Sequence, residues 1–538
     1  MEPNIEEKNL YFSGLPSCSR LVARSNFDVT FKPGGGGIFW PVKKFLSPTS
    51  PNHKIVSLWD GPLRKDIINA LDGIDWTSID IVRLGLHENP DRPELPEPEQ
   101  PHVLLVSVAN TTWGQGFPAV MSCRRIMEQY GLDDIHCEMK EMVLGDPSCE
   151  MEGPVAERSA STPNETSPLA PRLTSQSEVF PGPEFQSIVH HRTMASERLG
   201  ASIALLDSPT WEGTKGLYLR RKDTGATLAL TCRHMLFKKG SELSNELYQH
   251  NPDTTPRLVM QPGSGTLNDM LKFAEGICHA LERNRANLEA RADYTEERRH
   301  IQITDCQKRL NSYTQWRDYV RTIATPESRI IGHVLFSPKA SPGKSLSGES
   351  RLRDWALIEL HNNKHQTALP DLRNTVTLTS EHSCKIHRVA NSELSFERLF
   401  LAACEGFLQL EGIMPEAQIK MPTTMDSQNK EPRLVVAMYG KTRELQVGFS
   451  NCVPSILREV INGKAEYSEV WGIIGEKDNP SAGSKHFCIA GDSGSCIWDM
   501  EGRVAGIVVG GPDVGYAHPI EWLLEDIRTQ SSIDVELI

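Results

Sequence analysis

What the chain lacks narrows its identity first. No run of 18 apolar residues occurs in its 538 residues, so no transmembrane helix and no membrane partner is expected. Met1 to Phe12 has no basic patch followed by an apolar core, so no secretory signal is predicted. The 12 cysteines are scattered and no CxxC pair occurs, so neither a zinc ribbon nor any other metal site is predicted. Basic side chains are the minority, 57 against 70 acidic, and no basic patch is concentrated anywhere. The formal charge of −13 therefore predicts no nucleic-acid partner. Thiols without a signal segment predict a reducing compartment, intracellular and either cytoplasmic or nuclear.

What is present reads as globular protein, 38% hydrophobic and 24% charged. At roughly 150 residues per domain the length predicts about three or four units, or two with large insertions. Residues 1–50 read as a flexible lead-in, in which Gly34 to Gly37 lacks the Gly-Lys-Ser/Thr ending of a phosphate loop. In residues 51–145, Lys54 to Leu58, Ile79 to Leu86, Val103 to Val108 and Ile135 to Val143 read as strands. One helix opens at Asp60-Gly61-Pro62, and a second has Pro118 in its first turn and Gly131 as its stop. That order, β-α-β-β-α-β, predicts a ferredoxin-like α/β module with a binding or regulatory role. An acidic proline-rich loop, Glu88 to Pro101, interrupts it. Residues 146–195, rich in Ser, Pro, Thr and Glu, read as a disordered linker.

From residue 196 to 538 short strands dominate, which predicts an all-β barrel or sandwich. The candidates are Ser202 to Leu206, Gly216 to Arg220, Ala226 to Thr231, Ile330 to Phe336 and Trp355 to Leu360. They continue with Leu434 to Met438, Leu445 to Phe449, Val470 to Ile474 and Val504 to Val509. Residues 265–325 break the pattern. Ile303, Cys306, Leu310, Tyr313, Val320 and Ile323 share one helical stripe, and Leu267, Leu271, Ala274, Cys278 and Leu281 share another. The two stripes predict an inserted helical hairpin, and a last helix is predicted over Ile520 to Arg528.

The chemistry concentrates in Gly491-Asp492-Ser493-Gly494-Ser495, set between two apolar strands. A nucleophilic serine needs an exposed Oγ on a tight turn, N–H groups aimed at the developing oxyanion, and a base. Gly491 lets the backbone turn so that the N–H groups of Gly491 and Ser493 converge. A plain hairpin turn would use the same residue types. Two further segments add weight: Thr231-Cys232-Arg233-His234 ends one apolar strand, and Asp354 heads another. The order His, Asp, Ser is one of the convergent orders of the catalytic triad.

On these residues the chain, over about 198–530, resembles the chymotrypsin/trypsin-like serine proteases. The matching pieces are Leu228-Thr231-His234, Asp354-Ala356-Leu357, Gly491-Asp492-Ser493-Gly494, and Gly506-Ile507-Val508 with Gly510-Gly511. Val436 to Gly440, Lys441-Thr442 and Val447-Gly448 look like the strands that open the second barrel. With its multidomain layout the chain is similar to trypsin-like proteins of filamentous fungi. The resemblance implies a double β-barrel carrying the helical insertion. It implies Ser493 as nucleophile, His234 as general base and acid, Asp354 as the residue orienting His234, and an oxyanion hole from Gly491 and Ser493.

It also implies a substrate pocket with Phe487 at its floor and Gly511 and Gly515 at its walls. An aspartate at that floor would select Lys or Arg, and none is present. The expected pocket is an apolar slot, or one that Phe487 fills so that small side chains are favoured. Two departures stand out. The cysteine usual after the histidine is replaced by Met235, and the His–Asp interval is stretched by the helical hairpin. A cut after Arg198 would free Leu199 to pair with Asp492, as in a zymogen; the alternative is that Leu199 to Leu206 is simply the first barrel strand. The expected activity is an intracellular serine endopeptidase with no cofactor. Its partner is a protein or peptide substrate, and the N-terminal module and the helical hairpin are the two places for a regulatory partner. The rivals are a catalytically silent protease-like scaffold and an esterase using the same triad.

Overall fold

A computed structural model describes residues 2–31, 43–87, 100–142, 188–238, 245–344, 348, 350–390, 396–425, 431–461, 463–477 and 484–538. The Gly34 to Gly37 run, residues 88–99 of the acidic loop and residues 146–187 of the expected linker lie outside these. The chain is built from many strands in large sheets together with helices; the two main sheets hold twelve and nine strands. No helix among the described residues is long and apolar enough to cross a membrane.

The period-two pattern of the strands sorts side chains between two cores. In strand Val435–Tyr439, Val435, Ala437 and Tyr439 pack into the largest apolar cluster, with Leu230, Leu357 and Trp498. The alternate residues Val436 and Met438 pack on the other face with Ile473, Phe487 and Ile497. This strand pairs with Leu445–Ser450, which pairs with Lys464–Gly475, then Val514–Pro519, Val504–Gly510 and Cys496–Asp499. The last pairs back with the first, so six antiparallel pairings run in a closed circuit.

The nine-stranded sheet runs Val535–Leu537, Leu217–Arg221, Thr227–Thr231, Ala356–Leu360, Ile330–Ser337, Leu258–Met260, Ser202–Leu205 and Ser208–Thr214; Tyr248–Gln249 joins it on Ile330–Ser337. The expected helical hairpin is present as Ser264–Ala290 and Glu296–Thr322. Leu267, Met270, Ala274, Cys278 and Leu281 are buried on the first helix, and Cys306, Leu310, Tyr313, Trp316 and Val320 on the second. Thr295 caps the second helix through the Arg298 N–H, and Glu296 and Glu297 lie in its first turn, where the helix dipole favours negative charge.

The N-terminal region departs from expectation. Lys54–Leu58 is helical, started by His53 accepting the Ile55 N–H, so the first strand of a ferredoxin-like unit is missing. Strands His102–Val108 and His136–Glu141 pair directly and in parallel, with helix Trp113–Gln129 as their crossover. A split unit would leave a strand's width between them. The ferredoxin-like assignment is therefore corrected to a mixed sheet with order Leu21–Arg24, His136–Glu141, His102–Val108, Trp76–His87, and Lys43–Ser47 on the far strand.

Pro118 sits inside that crossover helix; Thr112 starts it, with a reciprocal bond to Gln115. Much of the expected lead-in is structured: Ile5–Leu10 is helical, and Tyr11, Phe12 and Leu15 are buried.

The module is not a separate sheet either. Strand Ser455–Ile461, unforeseen in the sequence, pairs with Lys464–Gly475 on one side and with Trp76–His87 on the other, at Ile456–Ile79 and Leu457–Ser78. Buried polar contacts fasten the junction. The Lys140 ammonium lies 2.6 Å from the Asp513 carboxylate, which also accepts the Ser17 N–H and hydroxyl. Asn451 donates to the Ile81 carbonyl and accepts the Thr49 N–H.

Candidate active site

Strand register brings the first two expected residues together. Ala356 stands opposite Thr231 in an antiparallel pair, so the residue two before Ala356 and the residue three after Thr231 emerge at the same end. There the His234 Nδ1 lies 2.6 Å from one Asp354 carboxylate oxygen, and the His234 N–H donates to the other at 2.9 Å. Asp354 is buried and its neighbours are pinned: Trp355 donates from Nε1 to Asp526, and Ser337 donates to the Trp355 carbonyl.

Burial opposes the charged imidazole, but the Asp354 carboxylate outweighs it and holds His234 above the ordinary histidine value. Burial likewise works against the Asp354 charge. His234, through its charge and its two hydrogen bonds, holds that carboxyl below the usual range.

The serine turn is seated against the same strand ends. Gly494 donates its N–H to Val508 at 2.8 Å, and the Cys232 thiol reaches the same carbonyl at 3.1 Å. Thr214, not anticipated from sequence, holds the turn twice. Its N–H donates to the Ser493 carbonyl at 3.0 Å and its hydroxyl to the Gly491 carbonyl at 2.8 Å. Gly491 and Gly494 have φ of +94° and +93°. A Cβ on Gly494 would meet the Thr214 carbonyl and come within 2.5 Å of the Thr231 hydroxyl, so both conformation and space require glycine.

The Asp492 N–H is spent on the Ile489 carbonyl, whereas the flanking N–H groups of Gly491 and Ser493 have no partner among the described residues. Free N–H groups on either side of Asp492 are donors of the kind an oxyanion hole draws on. The Ser493 hydroxyl donates to the Val509 carbonyl at 3.0 Å rather than to His234.

Asp492 is fully buried. One of its oxygens accepts the Thr442 N–H and the other the Ile489 N–H, and burial drives its carboxyl up to about 6. Those donors belong to the uncut chain. Leu199 is buried with its N–H bonded to Thr375, and Arg198 donates to the Gly406 carbonyl at 2.6 Å.

Phe487 is buried in the smaller core, its ring wedged where a Cβ on Gly448 would come within 2.6 Å and one on Gly515 within 2.9 Å. Cys488 lies beside it, its thiol 3.8 Å from the Gly511 carbonyl. Gly511 has φ of +120° and packs on Tyr516. The three expected pocket residues are thus adjacent, and Phe487 occupies the space between the two glycines Gly448 and Gly515.

Cys232, His234 and Asp354 also form a cluster of metal-binding residue types. Burial raises the Cys232 thiol well above its ordinary value, and the His234 Nδ1 is committed to Asp354. A thiol that burial keeps neutral is a poor metal ligand, so His234 and Asp354 fit a proton-transfer pair better than part of a metal ligand set. Among the described residues every cysteine is a free thiol.

Comparison with known proteins adds no relative to this picture: no family model matches the chain, and no curated protein matches it either.

Proposed function

We propose that the chain is a serine endopeptidase, with a chymotrypsin-like double barrel formed by the closed six-strand circuit and the nine-stranded sheet. The observation that carries the reading is the His234–Asp354 pair set beside a serine turn whose Gly491 and Ser493 N–H groups are left unpartnered. In this reading His234 takes the proton of Ser493 as its Oγ attacks a peptide carbonyl, and the two N–H groups receive the oxyanion. The acyl-enzyme is then hydrolysed by water that His234 activates. Asp354 keeps the proton on Nδ1, so Nε2 is the basic nitrogen. Because Asp492 is satisfied by amides of the intact chain, no cut after Arg198 is needed to support the oxyanion turn.

One observation favours a second reading, a silent scaffold: the Ser493 hydroxyl is bonded to the Val509 carbonyl and not to His234. A fluorophosphonate probe applied to the purified chain and to Ser493→Ala decides between the two readings. Covalent labelling of the native chain alone supports the hydrolase. Silence both in the intact chain and after a cut near Arg198 supports the scaffold. Where the native chain labels, peptide-library turnover by fresh, probe-free chain then distinguishes an endopeptidase from an esterase.

A further inference from the structure

A second cluster of reactive side chains lies in the N-terminal module and shares no residue with the serine site. His53 stands just before helix Lys54–Leu58, His102 opens strand His102–Val108, and Asp134 lies in the turn that leads into strand His136–Glu141. Each offers one donor atom, and the three atoms lie within 4.8 Å of one another. The His53 Nε2 is 2.8 Å from the Asp134 carboxylate, and the two imidazoles stack with centroids 4.0 Å apart. The His102 Nε2 is buried and has no hydrogen-bond partner. A buried ring nitrogen left bare loses its hydration with nothing in return, a cost natural structures rarely leave standing.

We infer that His53, His102 and Asp134 bind a divalent transition-metal ion of the zinc type, clamping three separate segments of the N-terminal module together. Two imidazole nitrogens and one carboxylate oxygen are a borderline donor set that suits zinc, with water completing a tetrahedron. The Asp134 side chain is exposed and gives an ion its way in.

Binding has one structural consequence. The His53 Nδ1 now accepts the Ile55 N–H, and a metal on Nε2 would place a proton there. Metal binding therefore exchanges that helix cap for a coordinate bond and moves the His53 ring.

The test uses the full chain, stripped with a chelator and dialysed. Zinc is titrated by calorimetry, and cobalt(II) by its visible absorption, which reports low coordination number. The expected result is one ion per chain and a low-coordinate cobalt spectrum. Asp134→Asn, an exposed change that leaves the module folded, and His102→Ala should each weaken binding by more than the roughly 10–100-fold that loss of a group behind a ligand costs. His234→Ala should leave the affinity unchanged. No saturable binding, or affinity that survives both Asp134→Asn and His102→Ala, overturns the inference. Loss of the ion in His234→Ala does so too, since it places the metal at the serine site.

Discussion

Asp354→Asn isolates the contact on which the proposed mechanism turns. Asp354 accepts two hydrogen bonds from one residue, at 2.6 Å from the ring and 2.9 Å from the backbone of His234. An amide has one acceptor oxygen, so one of these donors then faces an NH2 group. If the ring faces it, the imidazole must present a lone pair at Nδ1 and carry its proton on Nε2, where it cannot take the serine proton. The expected loss in labelling rate is about 10⁴-fold, which is about 5.4 kcal/mol at 1.36 kcal/mol per tenfold.

The pH profile should change with it. Native labelling rises as pH climbs through the raised His234 value; without the carboxylate that limb moves to lower pH. Stability moves in a definite direction too. The depressed Asp354 value contributes stability above the ordinary carboxylate range that is lost as pH falls through the folded-state value. The raised His234 value contributes stability below the ordinary histidine range that is lost as pH rises through its folded-state value. Both describe one interaction and count once. Fluorophosphonate labelling rates and urea midpoints across pH measure all of this. A variant that labels within tenfold of the native chain, with its limb unmoved, refutes the reasoning.

Three further outcomes are expected. Gly494→Ala puts a Cβ against the Thr214 carbonyl and within 2.5 Å of the Thr231 hydroxyl at φ +93°; labelling should vanish and the melting temperature fall, and normal labelling would mean the turn is not held as described. Lys140→Met strands the buried Asp513 charge, a loss of about 3–5 kcal/mol, at the low end because the two Ser17 donors remain. A urea midpoint recovered in Lys140→Met/Asp513→Leu supports this, and an unchanged single variant contradicts it. Phe487→Ala removes a buried ring at a cost of about 3–5 kcal/mol and opens space beside Gly515. Peptide-library profiling should then show larger side chains accepted, and an unaltered profile would remove Phe487 from the cleft.

Local pattern determined a large part of the molecule. Apolar patterning places most of the expected strands from Ser202 to Val509 within a residue or two, although Val470 to Ile474 proves to be the end of the longer Lys464–Gly475, and Ser208–Thr214, Leu258–Met260, Cys496–Asp499 and Val514–Pro519 were not expected. The three-four spacing from Leu267 to Val320 places both helices of the hairpin, because these periods follow from backbone geometry alone. The Gly-Asp-Ser-Gly run was legible because positive-φ turns leave few residue choices.

Other features depended on groups distant in sequence. Lys54–Leu58 has a strand's composition, yet a His53 cap and burial of Ile55 make it a helix. The half-polar Ser455–Ile461 carries no clean alternation; it pairs along its length with the neighbouring Lys464–Gly475 and also, across 379 residues of sequence, through Ser78 and Leu457. Thr214 and Val508, which seat the serine turn, look like ordinary strand residues, since a backbone carbonyl or N–H leaves no mark in sequence. The sequence by itself named His234, Asp354 and Ser493 as candidates. Only the register of Ala356 on Thr231, and the packing of Gly494 against Thr214 and Thr231, bring the His234–Asp354 pair and the serine turn to the same strand end, because long-range pairing is decided by the whole sheet and not by any segment of it.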